Sequence, residues 1–371
     1  MITFNPDKFG FYRTGDRTSY SKFEAVEWSK VNGQPVTWDF NRSTFDAIDW
    51  TKEPETDLWE MYKQRARQIR DAYDYVVLWY SGGSDSHNLL LAWIDAGCKI
   101  DEIATTWNYE ATGEYLNHYN AEITTVVLPD IKKLQEKFDF KFRLVDISQF
   151  CIDLFPTWTT EFEYNTNFHM SPNNPARSLF REKIDDYKNL IAQGKKLCFV
   201  WGKEKPMLKY SRQSNKHFIE FHDNIDNCIT PYVQKNYYKG WYDELFYWTP
   251  DYPLIPVKQA HVIVNYLKIC NDRDQFTTSR TFNGFSQKMD MYLRDSAIKT
   301  LIYPKWSNDI FCNGKASSFV YSLRDEWFLK SNLENRKRFM EIADSYFRTV
   351  DPDDHERKST WPLRSGAYYI E

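Results

Sequence analysis

The sequence predicts an α/β protein: a doubly wound, mainly parallel sheet followed by a mainly helical C-terminal region. Three observations carry this. An apolar run at residues 75–80, Tyr-Val-Val-Leu-Trp-Tyr, abuts a Gly/Ser-rich turn, and helical spacing begins directly after it. Apolar runs and helical patterns then alternate as far as residue 201, which implies parallel pairing through right-handed crossovers. With 371 residues the chain is long enough for one large or two medium domains.

Taken in order, residues 1–56 are polar and aromatic, with turn signals at Asn5-Pro6 and Asn32-Gly33, and read as a wrapping segment with short strands. Leu58, Met61, Tyr62, Ala66, Ile69 and Tyr73 recur at threes and fours and mark an amphipathic helix, with Arg65, Arg67 and Arg70 expected mostly on its solvated side. After the strand at 75–80, Leu89, Leu90, Trp93 and Ile94 keep helical spacing until Gly97 offers a stop. A second strand is expected at 103–107 and a helix at 117–138 with a break at Pro129. A third strand follows at 142–147, a helix at 175–193 and a fourth strand at 197–201. Beyond these, 218–222 reads as a strand, and 259–267 and 289–301 as helices. The aromatic run from 241, with its three prolines, reads as a rigid connector into a helix begun by Lys258. The expected organisation is a wrapping segment (1–56), a nucleotide-binding domain (57–214) and a substrate-binding region (215–371).

Aromatic residues make up 18% of the chain, so large rings must fill much of the core. A net charge of −4 gives no global basic field for nucleic acid, although local patches stay open. The six cysteines are never closer than the 30 positions separating Cys198 from Cys228, so no Cys-x-x-Cys pair is present for zinc, an iron–sulfur cluster or a redox couple. The N-terminus lacks a basic-then-apolar leader and no run of about 18 apolar residues occurs. A soluble, cytoplasmic protein without membrane contact is expected.

The chemistry concentrates at Ser81-Gly82-Gly83-Ser84-Asp85-Ser86. In a strand–turn–helix arrangement, backbone N–H groups and the positive helix end face one spot. Glycines let an anion come close and serine hydroxyls add donors. Asp85 is the odd member, since a carboxylate repels phosphate unless a cation lies between them. It is either a metal-side residue or a helix N-cap. The string Ser-Gly-Gly-x-Asp-Ser in this context resembles the pyrophosphate loop of the N-type ATP pyrophosphatases, the superfamily of asparagine synthetase, 7-cyano-7-deazaguanine synthase and the tRNA thiolases. The aromatic richness and motif order also resemble phage-encoded proteins of asparagine-synthetase type. The resemblance covers roughly residues 70–210. It implies a HUP-like, adenine nucleotide alpha hydrolase-like fold, ATP as cosubstrate with Mg²⁺, and phosphate contacts from Ser81, Gly82, Gly83, Ser84, Asp85 and Ser86.

Lys203 and Lys205 follow the fourth strand at the same sheet edge as the loop. They read either as a clamp on the leaving pyrophosphate or as a solvated turn around Glu204. Arg177 and Arg181 share a face of the expected 175–193 helix. Arg177 is a candidate reader of an anionic substrate or the triphosphate, whereas for Arg181 an exposed pairing with Asp185 is the favoured reading. Metal-dependent branches of the superfamily carry cysteines in this stretch, and 173–177 here has none. The resemblance places adenosine at Trp107, where core packing is the alternative. Asn108 and Glu110 are possible ribose partners, and Asp130 is a carboxylate near a helix break without an assigned role. His217 and His222, five apart, form no metal pair.

The expected activity is ATP-dependent adenylation of a substrate oxygen with pyrophosphate release, then attack by a nitrogen or sulfur nucleophile. The acceptor is a small molecule or nucleobase, and ammonia or sulfur is free or delivered by a partner protein. The rivals are a sulfonucleotide reductase-like enzyme, disfavoured because the last cysteine is Cys312, and a non-catalytic nucleotide-binding protein.

Overall fold

The structure, a computed structural model, describes residues 1–107, 109, 123–150, 179–203, 207–211, 214–223, 229, 231–237, 239–269, 291–292, 295–305 and 363–371. Its N-terminal part opens with strands β1 (Phe11–Thr14) and β2 (Arg17–Ser19), followed by helix α1 (Lys22–Asn32) and strand β3 (Val36–Asp39). The three strands form an antiparallel sheet of order β2-β1-β3. Ser21 caps α1 by accepting the Glu24 N–H, and Gly33 ends it in the left-handed conformation at φ 68°. A short helix α2 (Arg42–Phe45) precedes α3 (Leu58–Ala72), whose N-cap Asp57 accepts from the backbone N–H groups of Trp59 and Glu60.

Five parallel strands make the centre: β4 (Tyr75–Trp79), then, after helix α4 (Ser84–Asp95), β5 (Glu102–Trp107). Helix α5 (Leu128–Gln135), β6 (Lys141–Asp146), helix α6 (Asp185–Ala192) and β7 (Leu197–Trp201) follow. A hairpin of β8 (Met207–Ser211) and β9 (Lys216–Glu220) and the short helix α7 (Pro231–Lys235) lead to the last parallel strand, β10 (Trp241–Leu245). Helix α8 (Leu254–Ile269), β11 (Met291–Tyr292), helix α9 (Asp295–Ile302) and β12 (Tyr368–Tyr369) complete the described elements. The parallel sheet has the order β10-β7-β4-β5-β6. From β6 inwards, the chain-order ranks are third, second, first, fourth, fifth. The sheet grows outwards from β4 in both directions, so a topological switch point lies beside β4, and ligands of such sheets gather at the carboxyl ends of strands there.

Asp243 and Glu244 show that both sheet faces are covered. Neighbouring strand residues point to opposite faces. Asp243 takes a bidentate pair from Arg181 (2.7 and 2.8 Å) and the Trp201 indole N–H at 2.8 Å. Glu244 accepts from Arg65 of α3 at 2.7 Å and Lys8 at 2.5 Å, and from the Tyr73 hydroxyl. Burial by itself would raise the Glu244 carboxyl, but Lys8 and Arg65 outweigh it and hold the group below its usual range. The Asp243 face carries a run of stacked rings, with Trp79 4.9 Å from Trp201 and 6.1 Å from Phe199, and Tyr187 of α6 edge-on to Phe199. Burying a ring of this kind contributes about 1.5–3 kcal/mol.

Several expectations are corrected. Arg65 is not on the solvated side of its helix: it is fully buried against Glu244. Arg181 is likewise buried and held by Asp243 rather than pairing in solvent with Asp185. Within the expected 175–193 helix, Phe180–Lys183 is a 3₁₀ turn, Ile184 is extended (φ −88°, ψ 113°), and α6 starts only at Asp185. Pro129 does not break its helix. It occupies the first turn of α5, where its missing N–H costs nothing, after a π-helical turn Ile123–Val127. The aromatic run from 241 is a buried strand of the parallel sheet, and its helix starts at Leu254 rather than Lys258. The Lys258 ammonium pairs with Glu53 and the Pro54 carbonyl. Among the described residues after 214, helices α7, α8 and α9 are accompanied by strands, and β9, β11 and β12 join β8 in an antiparallel sheet of order β11-β8-β9-β12. Met291–Tyr292 belongs to that sheet, and α9 occupies only the later part of the helix expected at 289–301.

One buried apolar cluster runs from Ile2 to Ile370 and joins all three sheets. Phe45 lies 4.5 Å from Phe221, and Trp50 stacks on Tyr368 at 4.7 Å, tying the N-terminal segment to the antiparallel sheet. No helix among the described residues is long and apolar enough to cross a membrane.

Candidate functional site

The loop Ser81–Ser86 joins β4 to α4 at the switch point. Gly82 sits at φ 73°, in the left-handed region that favours glycine. Gly83 is the N-cap of α4, and no side chain caps the helix. Asp85 is therefore the second helical residue and not the cap, which removes one of its two readings. The loop is held from within by its serines. Ser86 Oγ donates to the Gly83 carbonyl at 3.0 Å and accepts the Ser81 N–H at 3.2 Å, while Ser81 Oγ accepts the Gly83 N–H at 3.3 Å. Ser81 is exposed, Asp85 half-buried, and Gly82, Gly83, Ser84 and Ser86 are buried. An uncapped helix start beside hydroxyl donors is a ready anion site.

On its β7 side the loop touches Gly202, the residue after that strand. A Cβ added at Gly202 would stand 2.8 Å from the Asp85 carbonyl oxygen and 2.9 Å from Ser86 Cα, so only glycine permits this approach. Lys203 leaves the sheet one residue further on. It is half-buried, its backbone N–H is donated to the Trp201 carbonyl at 2.9 Å, and its side chain forms no ion pair among the described residues. Lys205 and Arg177 lie outside the described residues, as do Asn108 and Glu110. Trp107 ends β5, half-buried and stacked on Tyr109 at 4.9 Å.

The C-terminal part of the chain supports the loop from below. Tyr303, just past α9, donates to Asp85 Oδ1 at 2.5 Å, and Tyr247 donates to the Asp85 carbonyl at 2.8 Å. Asn88 Nδ2 donates in turn to the Tyr247 hydroxyl at 2.9 Å. Burial first, with the Asp85 charge adding to it, pushes the Tyr303 phenol well above its usual range; burial does the same to Tyr247. Both remain neutral donors. On the β5 side, Tyr80 donates to Asp130 Oδ2 at 2.8 Å and lies 2.9 Å from His87 Nδ1.

No three His, Cys, Asp or Glu side chains converge as a metal cage among the described residues. Mg²⁺ is commonly held by one or two carboxylates together with substrate phosphates and water. The half-buried, anchored Asp85 beside an anion nest fits such a nucleotide-borne Mg²⁺, and does not fit a free-standing metal centre.

The sequence pointed to the loop, Lys203 and Trp107, but not to Tyr303, Tyr247 or Gly202, and it gave Asp130 no role. Gly202 carried a usable signal, a glycine closing an apolar strand. Tyr303 carried none, being 218 positions from its partner. No protein-family model matches the chain, and no curated protein matches it.

Proposed function

We propose that the chain binds Mg·ATP across the carboxyl ends of β4 and β7 and transfers AMP to an oxygen of its substrate. The observation that carries this reading is the uncapped Ser81–Ser86 loop at the switch point of a parallel sheet, with a glycine contact on one side and a lysine next to it. The β and γ phosphates lie in the loop, where N–H groups of the first turn of α4 and the serine hydroxyls meet them. Lys203, with Lys205 and Arg177 as further candidates, neutralises the charge that grows on the leaving pyrophosphate. Trp107 borders the adenosine. Asp85 would hold a nucleotide-borne Mg²⁺, which would supply charge neutralisation there.

In the first step the substrate oxygen bonds to the α-phosphorus and the bond to the β-phosphate oxygen breaks. A poor leaving group becomes a good one. A nitrogen or sulfur nucleophile then displaces AMP. The fold that accommodates this chemistry is the HUP-like, doubly wound arrangement, with residues 57–214 as the nucleotide domain and 215–371 bordering the acceptor.

Titration calorimetry with Mg·ATP tests the reading. Binding is expected at micromolar to millimolar concentration, and Lys203→Ala should weaken it by roughly ten- to a hundredfold, the worth of one charge-assisted contact. Folded protein that gives no heat at millimolar Mg·ATP overturns the proposal.

A further inference from the structure

Two residues just past α9 hold both ends of the loop helix. Tyr303 donates to Asp85 Oδ1 in the first turn of α4, and Lys305 pairs with Asp95, the last residue of that helix. The two acids lie ten positions apart, which is about 15 Å along a helix. Tyr303 and Lys305 are separated by Pro304 alone and span at most about 7 Å of backbone. Their side chains must therefore reach in opposite directions along α4 to make up the difference. Pro304 fixes one backbone dihedral and disfavours further helix at Tyr303, where α9 has just ended, so the short span has little slack.

Helix α3 seats the same segment from its other side. The Tyr62 hydroxyl donates to the Ile302 carbonyl at 2.9 Å, and Gln259 Nε2 of α8 donates to Tyr62 at 2.8 Å. One turn earlier in α3, Trp59 donates its indole N–H to Asp95 Oδ2 at 3.1 Å, and the Lys305 ammonium stands 4.9 Å from the Trp59 ring centroid. The Trp59 and Tyr62 rings meet edge-on with centroids 6.2 Å apart, so the seat is continuous. Since α3 and α4 pack side by side, residues 302–305 lie along their seam as a strap. Its inner end is dry and its outer end wet: Ile302 and Tyr303 are buried, whereas Lys305 is 44% exposed. An isolated exposed ion pair adds little. Here the carboxylate is shared with an indole N–H and the ammonium lies over the same ring, which gives the anchor one geometry.

We infer that residues 302–305 couple the exposed Lys305–Asp95 anchor to the order of the Ser81–Ser86 loop, with Lys305 as a positioning residue that acts through Tyr303. While Lys305 is held, Tyr303 stays on Asp85 and the first turn of α4 keeps the arrangement in which its N–H groups converge. Once Lys305 is released, the stiff Tyr303-Pro304-Lys305 link is anchored at one end only, the Tyr303 contact loosens, and the turn loosens with it. A change of charge at the outer anchor therefore reaches the loop although nothing touches the loop itself. The coupling stands on the contacts alone, and only its effect on ligand binding rests on the Mg·ATP reading above.

Hydrogen exchange of the intact protein tests it. Peptides covering residues 81–88 include the first helix-bonded amide of α4, that of His87 on the Gly83 carbonyl. In them Lys305→Ala should exchange roughly three- to fivefold faster than wild type, and Tyr303→Phe roughly five- to thirtyfold faster. Lys305→Arg keeps the charge and the ring contact and should restore the wild-type rate. In the double variant Lys305→Ala/Tyr303→Phe the rate should equal that of Tyr303→Phe alone, because Lys305 acts through Tyr303. An unchanged rate in Lys305→Ala, or a double variant in which the two factors multiply, overturns the coupling. Calorimetry with Mg·ATP should rank the variants in the same order, and a Lys305→Ala affinity equal to that of wild type overturns the link to the site. Wild-type protein for which the exchange pattern holds but Mg·ATP gives no heat defeats the nucleotide reading and leaves the strap standing.

Discussion

The Tyr303 hydroxyl donates to Asp85 Oδ1 at 2.5 Å, so a residue from the C-terminal part of the chain sets the direction of the one carboxylate in the Ser81–Ser86 loop. Removing that donor separates anchoring from chemistry. Tyr303→Phe should destabilise the protein by about 1–2 kcal/mol in urea unfolding, the low end for a hydrogen bond to a charged group, because Asp85 is only half-buried. Asp85→Asn keeps an oxygen for Tyr303 and should leave stability within about 0.5 kcal/mol. Its pyrophosphate release should nevertheless fall far more than its ATP affinity. Equal release by Asp85→Asn and wild type would remove Asp85 from the phosphate machinery.

Gly202→Ala is expected to act on the loop rather than on the strand. The new methyl group meets backbone atoms of Asp85 and Ser86, which have no rotamer with which to move aside. A cost of about 1–3 kcal/mol and weaker nucleotide binding should appear together. A Gly202→Ala protein with wild-type unfolding and calorimetry would show that the two elements are free to separate.

Breaking the Arg181–Asp243 pair should be among the most damaging single changes. Both side chains are buried, and loss of either partner strands a charge, at a cost of about 3–5 kcal/mol. Arg181→Met alone should therefore unfold at much lower denaturant than wild type. The double variant Arg181→Met/Asp243→Leu should recover most of the loss, and failure to recover would mean that packing, not charge, dominates at this site.

Glu244 makes stability sensitive to acid. Its carboxyl titrates below its usual value of 4.5 in the folded protein, because Lys8 and Arg65 outweigh the effect of burial. The stabilisation it brings is complete above pH 4.5 and drains away as the pH falls through the lower, folded-state value. Unfolding free energies measured between pH 6 and 3 should fall less steeply for Glu244→Gln than for wild type, even though the variant starts from a lower stability.

Periodicity and turn chemistry made the central strands and the loop legible, because each is a local pattern: Tyr75–Trp79 before Ser81–Ser86, and Leu197–Trp201 before Gly202. Charge in the core was not legible. Arg65 sits at a position that a helical wheel assigns to the edge of the polar face, and only β10, some 180 positions later, turns it inward. The same strand was hidden by its own composition, since Trp241-Tyr-Asp-Glu-Leu carries two acids in a row and reads as surface until each acid meets an arginine on its own side of the sheet. The contacts of Tyr80 with His87 and Asp130 were not legible, because the second joins residues 50 positions apart.

The bond between Lys8 and Glu244 joins residues 236 positions apart and fully buries both ends. During synthesis, Lys8 is made long before its partner. At about 5–20 residues per second it waits on the order of 10–50 s for Glu244 to be added. Until then the last parallel strand is absent, β7 has an open edge, and the N-terminal ammonium-bearing segment has no dry place to go. The first and last pieces of the central core therefore close together, and completion of the parallel sheet waits until well past the middle of the chain has been made.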